Sequence, residues 1–231
     1  MKCLAIITAR GGSKRIPKKN IKDFCGKPII AYSIEAAINS KIFDEVMVST
    51  DSEEIATVAQ KYGASIPFMR SAKNADDYAT TYDVLLEVVN NYQELGKVFD
   101  CICCIYPTAP FVTAKKLKES FNKFIDSNAD SLIPIVKFSF PPQRGFVINK
   151  NNYLEYKWPE NKNKRSQDLE PLYHDAGQFY FHKASLFSDN NTLNTKIVPF
   201  ELEETEVQDI DNITDWQLAE IKYKFLHGEN L

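Results

Sequence analysis

Apolar and polar positions follow two rhythms along the first 137 residues. "CLAIIT", "DEVMVST", "FDCICCIY" and "DSLIPIVKF" are short and apolar at nearly every position, and they read as buried strands. Between them, "KPIIAYSIEAAINS", "DSEEIATVAQKYG", "TTYDVLLEVVNNYQELG" and "TAKKLKESFNKFIDSN" carry apolar residues at helical spacing, the third from about Thr80 to Leu95. Punctuation agrees with this reading. Pro28 suits a first helical turn, Asp51 or Ser52 can cap the second helix, and Gly63 can end it. "SIPFM" is predicted as a further short strand. Strand and helix thus alternate over residues 2–137. The predicted fold class is α/β, a mostly parallel sheet with helices on both faces. Ligands of such sheets sit at the carboxyl ends of the strands, and "ARGGSKR", "STD" and "YPTAP" should line that edge.

The rhythm loosens after Lys137. Residues 138–175 are polar and rich in Pro and Asn, yet they keep Phe138, Phe140, Phe146, Tyr153, Tyr156 and Trp158, which a disordered linker would lack. They are predicted as an excursion of hairpins from the main sheet. "GQFYFHK", "KIVPF" and "TEVQDID" return to strands. "ITDWQLAEIKYKFLHG" is predicted as a terminal helix, apolar at Ile213, Trp216, Leu218, Ile221 and Phe225.

Composition narrows the class. The 231 residues suffice for one large domain, 1–231, with the excursion inside it. No apolar run approaches the roughly 20 residues of a membrane span. The N-terminal run ends in Thr8 and a cationic loop without a small-residue cleavage site, so it reads as a strand and not as a signal peptide. A net charge of -3 disfavours non-specific nucleic-acid binding. The cysteines Cys3, Cys25, Cys101, Cys103 and Cys104 are odd in number, and three crowd one apolar run. They read as reduced thiols of a cytoplasmic protein, neither a disulfide framework nor a zinc site.

Against this acidic background, "ARGGSKRIPKKN" (residues 9–20) gathers Arg10, Lys14, Arg15, Lys18 and Lys19 around Gly11 and Gly12. The glycines let the backbone approach a ligand and present N–H groups. Arg10, Lys14 and Lys19 can neutralise a polyphosphate. An ordinary basic surface loop is the alternative, disfavoured by the position after the first strand. The loop lacks the Gly-Lys-Ser/Thr ending of a P-loop and the G-x-G-x-x-G of a dinucleotide fold.

In "QDIDN", Asp209 and Asp211 would share one face of an ideal strand and could reach one cation. Magnesium takes one or two carboxylates together with substrate phosphates. The competing reading is acidic capping of the helix that follows, and the polyphosphate loop favours the metal. "YPTAPF" offers Tyr106, Thr108 and Ala109 beside the ligand edge, although its prolines also serve to end a strand. Asp51 reads first as a helix cap. Gln143, Arg144, His174 and Gln178 are polar groups among aromatics, a composition that suits a sugar acid; His174 reads equally as a satisfied loop histidine.

Taken in order, "ARGGSKRIPKKN", "VSTDSEEIA", "YPTAPF" and "DIDNITDW" resemble the cytidylyltransferases that activate nonulosonic acids, over nearly the whole chain. "CCIYPTAPF", "SFPPQRGF" and "YHDAGQFYF" resemble the pseudaminic acid branch. Neuraminate enzymes usually show Gln-Pro-Thr-Ser-Pro where this chain has Tyr106-Pro107-Thr108-Ala109-Pro110, which argues against plain sialic acid. The resemblance implies a Rossmann-like, three-layer α/β/α fold of nucleotide-diphospho-sugar transferase type. It implies CTP with its phosphates on the loop of residues 9–15 ("RGGSKR" with Ala9) and Lys19, and its cytosine near Asn20 and the stretch from Arg70 to Thr81, Thr80 included. It implies magnesium, or manganese in its place, on Asp209 and Asp211. The anomeric hydroxyl of a nine-carbon sugar acid would attack the α-phosphorus, with Lys19 or Arg10 stabilising the developing charge. Asp211 and a hydroxide on the metal are the candidate bases. Sugar contacts would come from Tyr106, Thr108, Gln143, Arg144, His174 and Gln178. A homodimer is implied, with residues 138–175 crossing to the partner. Rival readings are the same reaction on N-acetylneuraminate, legionaminate or, less favoured, 3-deoxy-manno-octulosonate; an Asp-x-Asp glycosyltransferase; and a non-catalytic nucleotide sensor.

Overall fold

The computed structural model describes residues 1–187 and 196–228. β1 (Cys3–Thr8) leads through a small ladder, β2 (Asp23–Phe24) with β3 (Lys27–Pro28), into α1 (Ile29–Ser40). β4 (Glu45–Ser49), α2 (Glu53–Lys61), α3 (Thr81–Glu94), β5 (Cys101–Ile105), α4 (Ala114–Asp126) and β6 (Ser131–Lys137) follow. The hairpin β7 (Phe146–Ile148) and β8 (Leu154–Tyr156) stands apart as its own ladder. β9 (Tyr173–Asp175), β10 (Phe179–Lys183) and β11 (Ile197–Leu202) precede α5 (Ile213–His227).

The seven-stranded sheet runs β11-β6-β10-β5-β1-β4, with β9 also paired to β6. β1 is parallel to β4 and β5, and β11 is parallel to β6. β10 lies antiparallel between β5 and β6, and β9 runs antiparallel on the distal half of β6. The sheet is therefore mixed and mostly parallel, in an α/β fold.

Both faces of the central strands are buried, which is why they are apolar at every position. Cys3, Ala5 and Ile7 of β1 and Cys101, Cys103 and Ile105 of β5 face α1, α2 and α4, against Ile30, Ile34, Ile55, Leu117 and Phe124. Leu4, Ile6, Ile102 and Cys104 face α3, against Leu85, Val88 and Tyr92. The period of two along each strand thus sorts one run into two cores. None of the five cysteines is in a disulfide bond with another, and all but Cys25 are buried. Among the described residues, no helix is long and apolar enough to cross a membrane.

Two predicted elements take another form. "SIPFM" makes only an isolated bridge between Met47 and Ser65 and no strand; Pro67 lacks the N–H that a continued ladder needs. "TEVQDID" is a single turn over Glu204–Glu206 and then irregular. Its carbonyls go to side chains instead of a neighbouring strand: Lys222 donates to Glu204 O and Val207 O, and Gln178 Nε2 to Glu206 O. In α5, Trp216 and Ala219 are buried, packing on Phe24, Ile29 and Phe111, whereas Ile213, Leu218, Ile221 and Phe225 are exposed.

Candidate nucleotide-binding cleft

The carboxyl edges of β1 and β5 meet Asp209 and Asp211 around a cleft of about 600 Å³. Arg10, Lys14, Arg15 and Lys19 line it from the first loop, Tyr106 and Thr108 from the segment after β5, and Asp209 and Asp211 from the late loop. Ala9 is buried, and its N–H donates to Ser49 O at 3.0 Å, continuing the β1–β4 pairing into the loop. Gly11 donates its N–H to Asp51 Oδ1 at 2.8 Å. A Cβ on Gly11 would sit 3.1 Å from Ser52 Cβ, so glycine allows the loop to rest on the start of α2. Gly12 has open space around it and, with Ser13, lines the cleft. Asn20 is buried and braces the loop by donating from Nδ2 to Arg10 O at 2.9 Å. Asp51 thus orders the loop, while Ser52 caps α2 by accepting from Ile55 N–H, so the cap predicted for Asp51 belongs to its neighbour. Lys18 adopts a left-handed φ of 53°, which turns the chain into the short turn Lys19–Ile21.

Every cation of the loop has a counterpart. Arg10 Nη1 donates to Asp77 Oδ1 at 2.9 Å and to Asp76 O, and Lys14 also pairs with Asp77. Hydrogen bonding and charge from Lys14, joined by Arg10, hold the Asp77 carboxyl below its ordinary range. Arg15 Nη2 donates to Asp211 Oδ1 at 2.8 Å, and Lys18 pairs with Glu54 at 2.7 Å. Lys19 Nζ donates to Ile210 O at 2.7 Å. Burial lowers the Lys19 pKa, and the charges of Asp211 and Asp209 oppose that shift. Burial raises the Asp209 pKa, and the charge of Asp211 raises it further.

Helix capping does not account for these acids. Asn212 caps α5 by accepting from Thr214 and Asp215 N–H, and Asp215 Oδ2 accepts from the N–H groups of Asp211 and Asn212. The Asp209 and Asp211 carboxylates face the cleft instead. Among the described residues, no three or more His, Cys, Asp or Glu side chains converge as a metal-binding group. Two mutually repelling carboxylates beside a cationic loop fit a divalent ion of the magnesium kind, which completes its shell with waters and substrate phosphates.

The remaining predicted residues lie elsewhere. Arg70 is buried and fixed on Ser49, by Nε to Oγ at 3.0 Å and Nη2 to O at 2.6 Å. Thr80 caps α3 in a reciprocal box with Asp83. Thr81 shares a separate hollow with Tyr106 and Tyr180. His174 lines a hollow of about 510 Å³ that adjoins the cleft and shares Tyr106 and Asp209 with it. Gln178 is buried behind this wall. Gln143 and Arg144 sit on the excursion, bonded to Glu170 O and Ser166 Oγ, and line neither hollow. Asp77 and Arg15 line the cleft; both fall inside the segments expected around the nucleotide, although neither was singled out as a contact from sequence. Arg15 was visible in the cationic run; Asp77 is separated from Arg10 by 67 positions and carries no local signal.

A family model described as cytidylyltransferase matches residues 4–222. The chain is 46% identical over 229 residues to a pseudaminic acid cytidylyltransferase of Campylobacter jejuni, covering 98% of each chain. It is 34% identical over 230 residues to a CMP-N,N'-diacetyllegionaminic acid synthase of Legionella pneumophila, covering 95% of each. Among solved structures, a CMP:2-keto-3-deoxy-manno-octonic acid synthetase complexed with CTP matches with a TM-score of 0.71 at 18% identity, over 99% of this chain and 100% of the other, which shows a common fold. Cleft, full-length match and fold agree: this chain belongs to the cytidylyltransferase family.

Proposed function

We propose that this cytidylyltransferase transfers CMP from CTP to the anomeric hydroxyl of a nonulosonic acid, with pseudaminic acid as its substrate. The observation that carries the reading is the meeting of the cationic loop and the Asp209/Asp211 pair across one cleft, tied by Lys19 to Ile210 O. Identity of 46% to the pseudaminic acid enzyme, against 34% to the legionaminic acid enzyme, supports the choice of sugar.

In this reading Arg10, Lys14 and Lys19 hold the triphosphate, with N–H groups around Gly12 and Ser13. Asp209 and Asp211 hold magnesium, for which manganese can substitute. When bound, the metal offsets phosphate charge around the α-phosphorus. The sugar acid occupies the adjoining hollow between Tyr106 and His174. Its anomeric oxygen bonds to the α-phosphorus as the bond to the α–β bridging oxygen breaks and pyrophosphate leaves, the hydroxyl proton passing to Asp211 or to solvent. Lys19 and Arg10 are placed to meet the charge that develops, so catalysis rests on positioning and electrostatics.

A homodimer is part of the proposal. On the excursion, Phe140, Ile148, Tyr153 and Leu154 are 85%, 69%, 69% and 68% exposed, more apolar surface than an isolated hairpin keeps in water. A second copy would cover it and receive Gln143 and Arg144 near its sugar site. The five cysteines, none in a disulfide bond with another, support a reducing, cytoplasmic setting.

The test is magnesium-dependent pyrophosphate release from CTP, with pseudaminic, legionaminic and N-acetylneuraminic acids offered in parallel. Release with pseudaminic acid alone is expected. Release with another acid keeps the reaction and corrects the sugar. CTP binding with silence toward every acid would revive the nucleotide sensor.

A further inference from the structure

Asp211 is already in use in the free protein. Its Oδ1 accepts from Arg15 Nη2, and the pair joins the two ends of the chain across the cleft. The side chains are 67% and 46% exposed, so the pair belongs to the weak class that exchanges partners readily. Arg15 and Lys19 line the same cleft. An Arg15 stripped of Asp211 would therefore face like charge.

These contacts make each ligand a poor fit alone. A divalent ion on Asp209 and Asp211 competes with Arg15 for the same carboxylate and leaves the guanidinium unpaired beside Lys19. A triphosphate alone finds Arg15 engaged with Asp211. Supplied together, the cation takes the acids and the phosphates take the arginine, and no charge is left without a partner.

We propose that Arg15 is a positioning residue that couples metal and triphosphate binding, holding Asp211 in the free protein and passing to a phosphate oxygen when a divalent ion takes its place. This rests on the reading of the cleft as a triphosphate site and adds a coupling to it. The metal binds more tightly with the nucleotide than ahead of it. By linkage, CTP must strengthen metal binding by the same factor as the metal strengthens CTP binding.

The experiment measures binding, not turnover. Free Mn2+ is followed by electron paramagnetic resonance in wild type, Arg15→Gln, Arg15→Lys and Lys14→Gln, without nucleotide and then with CTP. Circular dichroism and thermal melting confirm that each variant folds. Arg15→Gln should bind Mn2+ alone roughly two- to fivefold more tightly than wild type, the range for an exposed ion pair, and CTP should enhance its Mn2+ binding less. Arg15→Lys should stay near wild type. Lys14→Gln removes the same charge from the same loop but leaves the partner of Asp211 in place, so its affinity for Mn2+ alone should change little. Equal tightening in the two Gln variants would reduce the effect to net charge and overturn the proposal. So would unchanged Mn2+ affinity in Arg15→Gln. A wild type that binds neither Mn2+ nor CTP would instead remove the triphosphate reading itself.

Discussion

Lys19 donates its ammonium to the main-chain oxygen of Ile210 at 2.7 Å, which sets a cation of the first loop against the residue between the two late acids. This half-buried contact ties the loop after β1 to the segment before α5 and makes one site of two distant stretches. Lys19→Met should lower the turnover for pyrophosphate release by roughly a hundredfold or more, the usual loss when a preorganised partner for developing charge is removed. A melting temperature close to wild type would separate this from unfolding. A loss of only a few-fold would make Lys19 an anchor of the loop and not a catalytic group.

Asp77 holds Arg10 and Lys14 in the free protein and so competes with the phosphates for both. Asp77→Asn should tighten CTP binding in calorimetry by about two- to fivefold, and the gain should shrink as added salt screens these exposed charges. Weaker binding would show that Asp77 organises the loop for the nucleotide.

The Asp pair gives a prediction in pH. Burial and then the charge of Asp211 raise the Asp209 pKa. As pH falls, Asp209 therefore takes up its proton before an ordinary aspartate would, and Mn2+ affinity should decline from that point. Asp211→Asn removes the larger of the two carboxylate charges that act on it, so the Asp209 carboxyl resonance in carbon-13 NMR should titrate at lower pH than in wild type. An unmoved midpoint would mean that burial, with the charge of Asp215, sets it.

Much of this was legible in the sequence, for reasons tied to particular residues. Strands β1 and β5 stood out because Leu4 and Ile6 serve one core while Cys3, Ala5 and Ile7 serve the other. The antiparallel direction of β10 did not, because apolarity carries no strand polarity. Asp209 and Asp211 were recognisable as chemistry but were placed on a strand; a spacing of two is also what a loop shows when side chains, here Lys222 and Gln178, satisfy its carbonyls. Spacing in α5 marked Ile213, Trp216, Leu218, Ile221 and Phe225 as apolar without saying that, of these, Trp216 faces the core, together with Ala219. Arg70 reads as a ligand group by type, and local pattern does not show that its Nε and Nη2 rest on Ser49. Such side-chain pairings over long separations leave no trace in local pattern.

His182 gives a separate check on the core. Burial drops its pKa from 6.5 to about 4, and its Nδ1 lies 2.8 Å from Ser131 Oγ. Between those values the unfolded chain binds a proton that the folded chain refuses, so this histidine makes stability fall as pH drops from 6.5 to about 4. The full effect is roughly 3 kcal/mol. Urea titrations across the window should show a shallower fall in His182→Gln than in wild type. Parallel profiles would place the proton sensitivity elsewhere.

The central claim is that one cleft holds a triphosphate on the first loop and a divalent ion on the two late acids. Anomalous scattering from a crystal grown with CTP and Mn2+ tests it most directly. The account predicts a manganese peak in contact with both the Asp209 and Asp211 carboxylates and with phosphate oxygens, with Arg10, Lys14 and Lys19 turned onto the triphosphate. CTP ordered in the cleft with manganese bound away from both aspartates would contradict it.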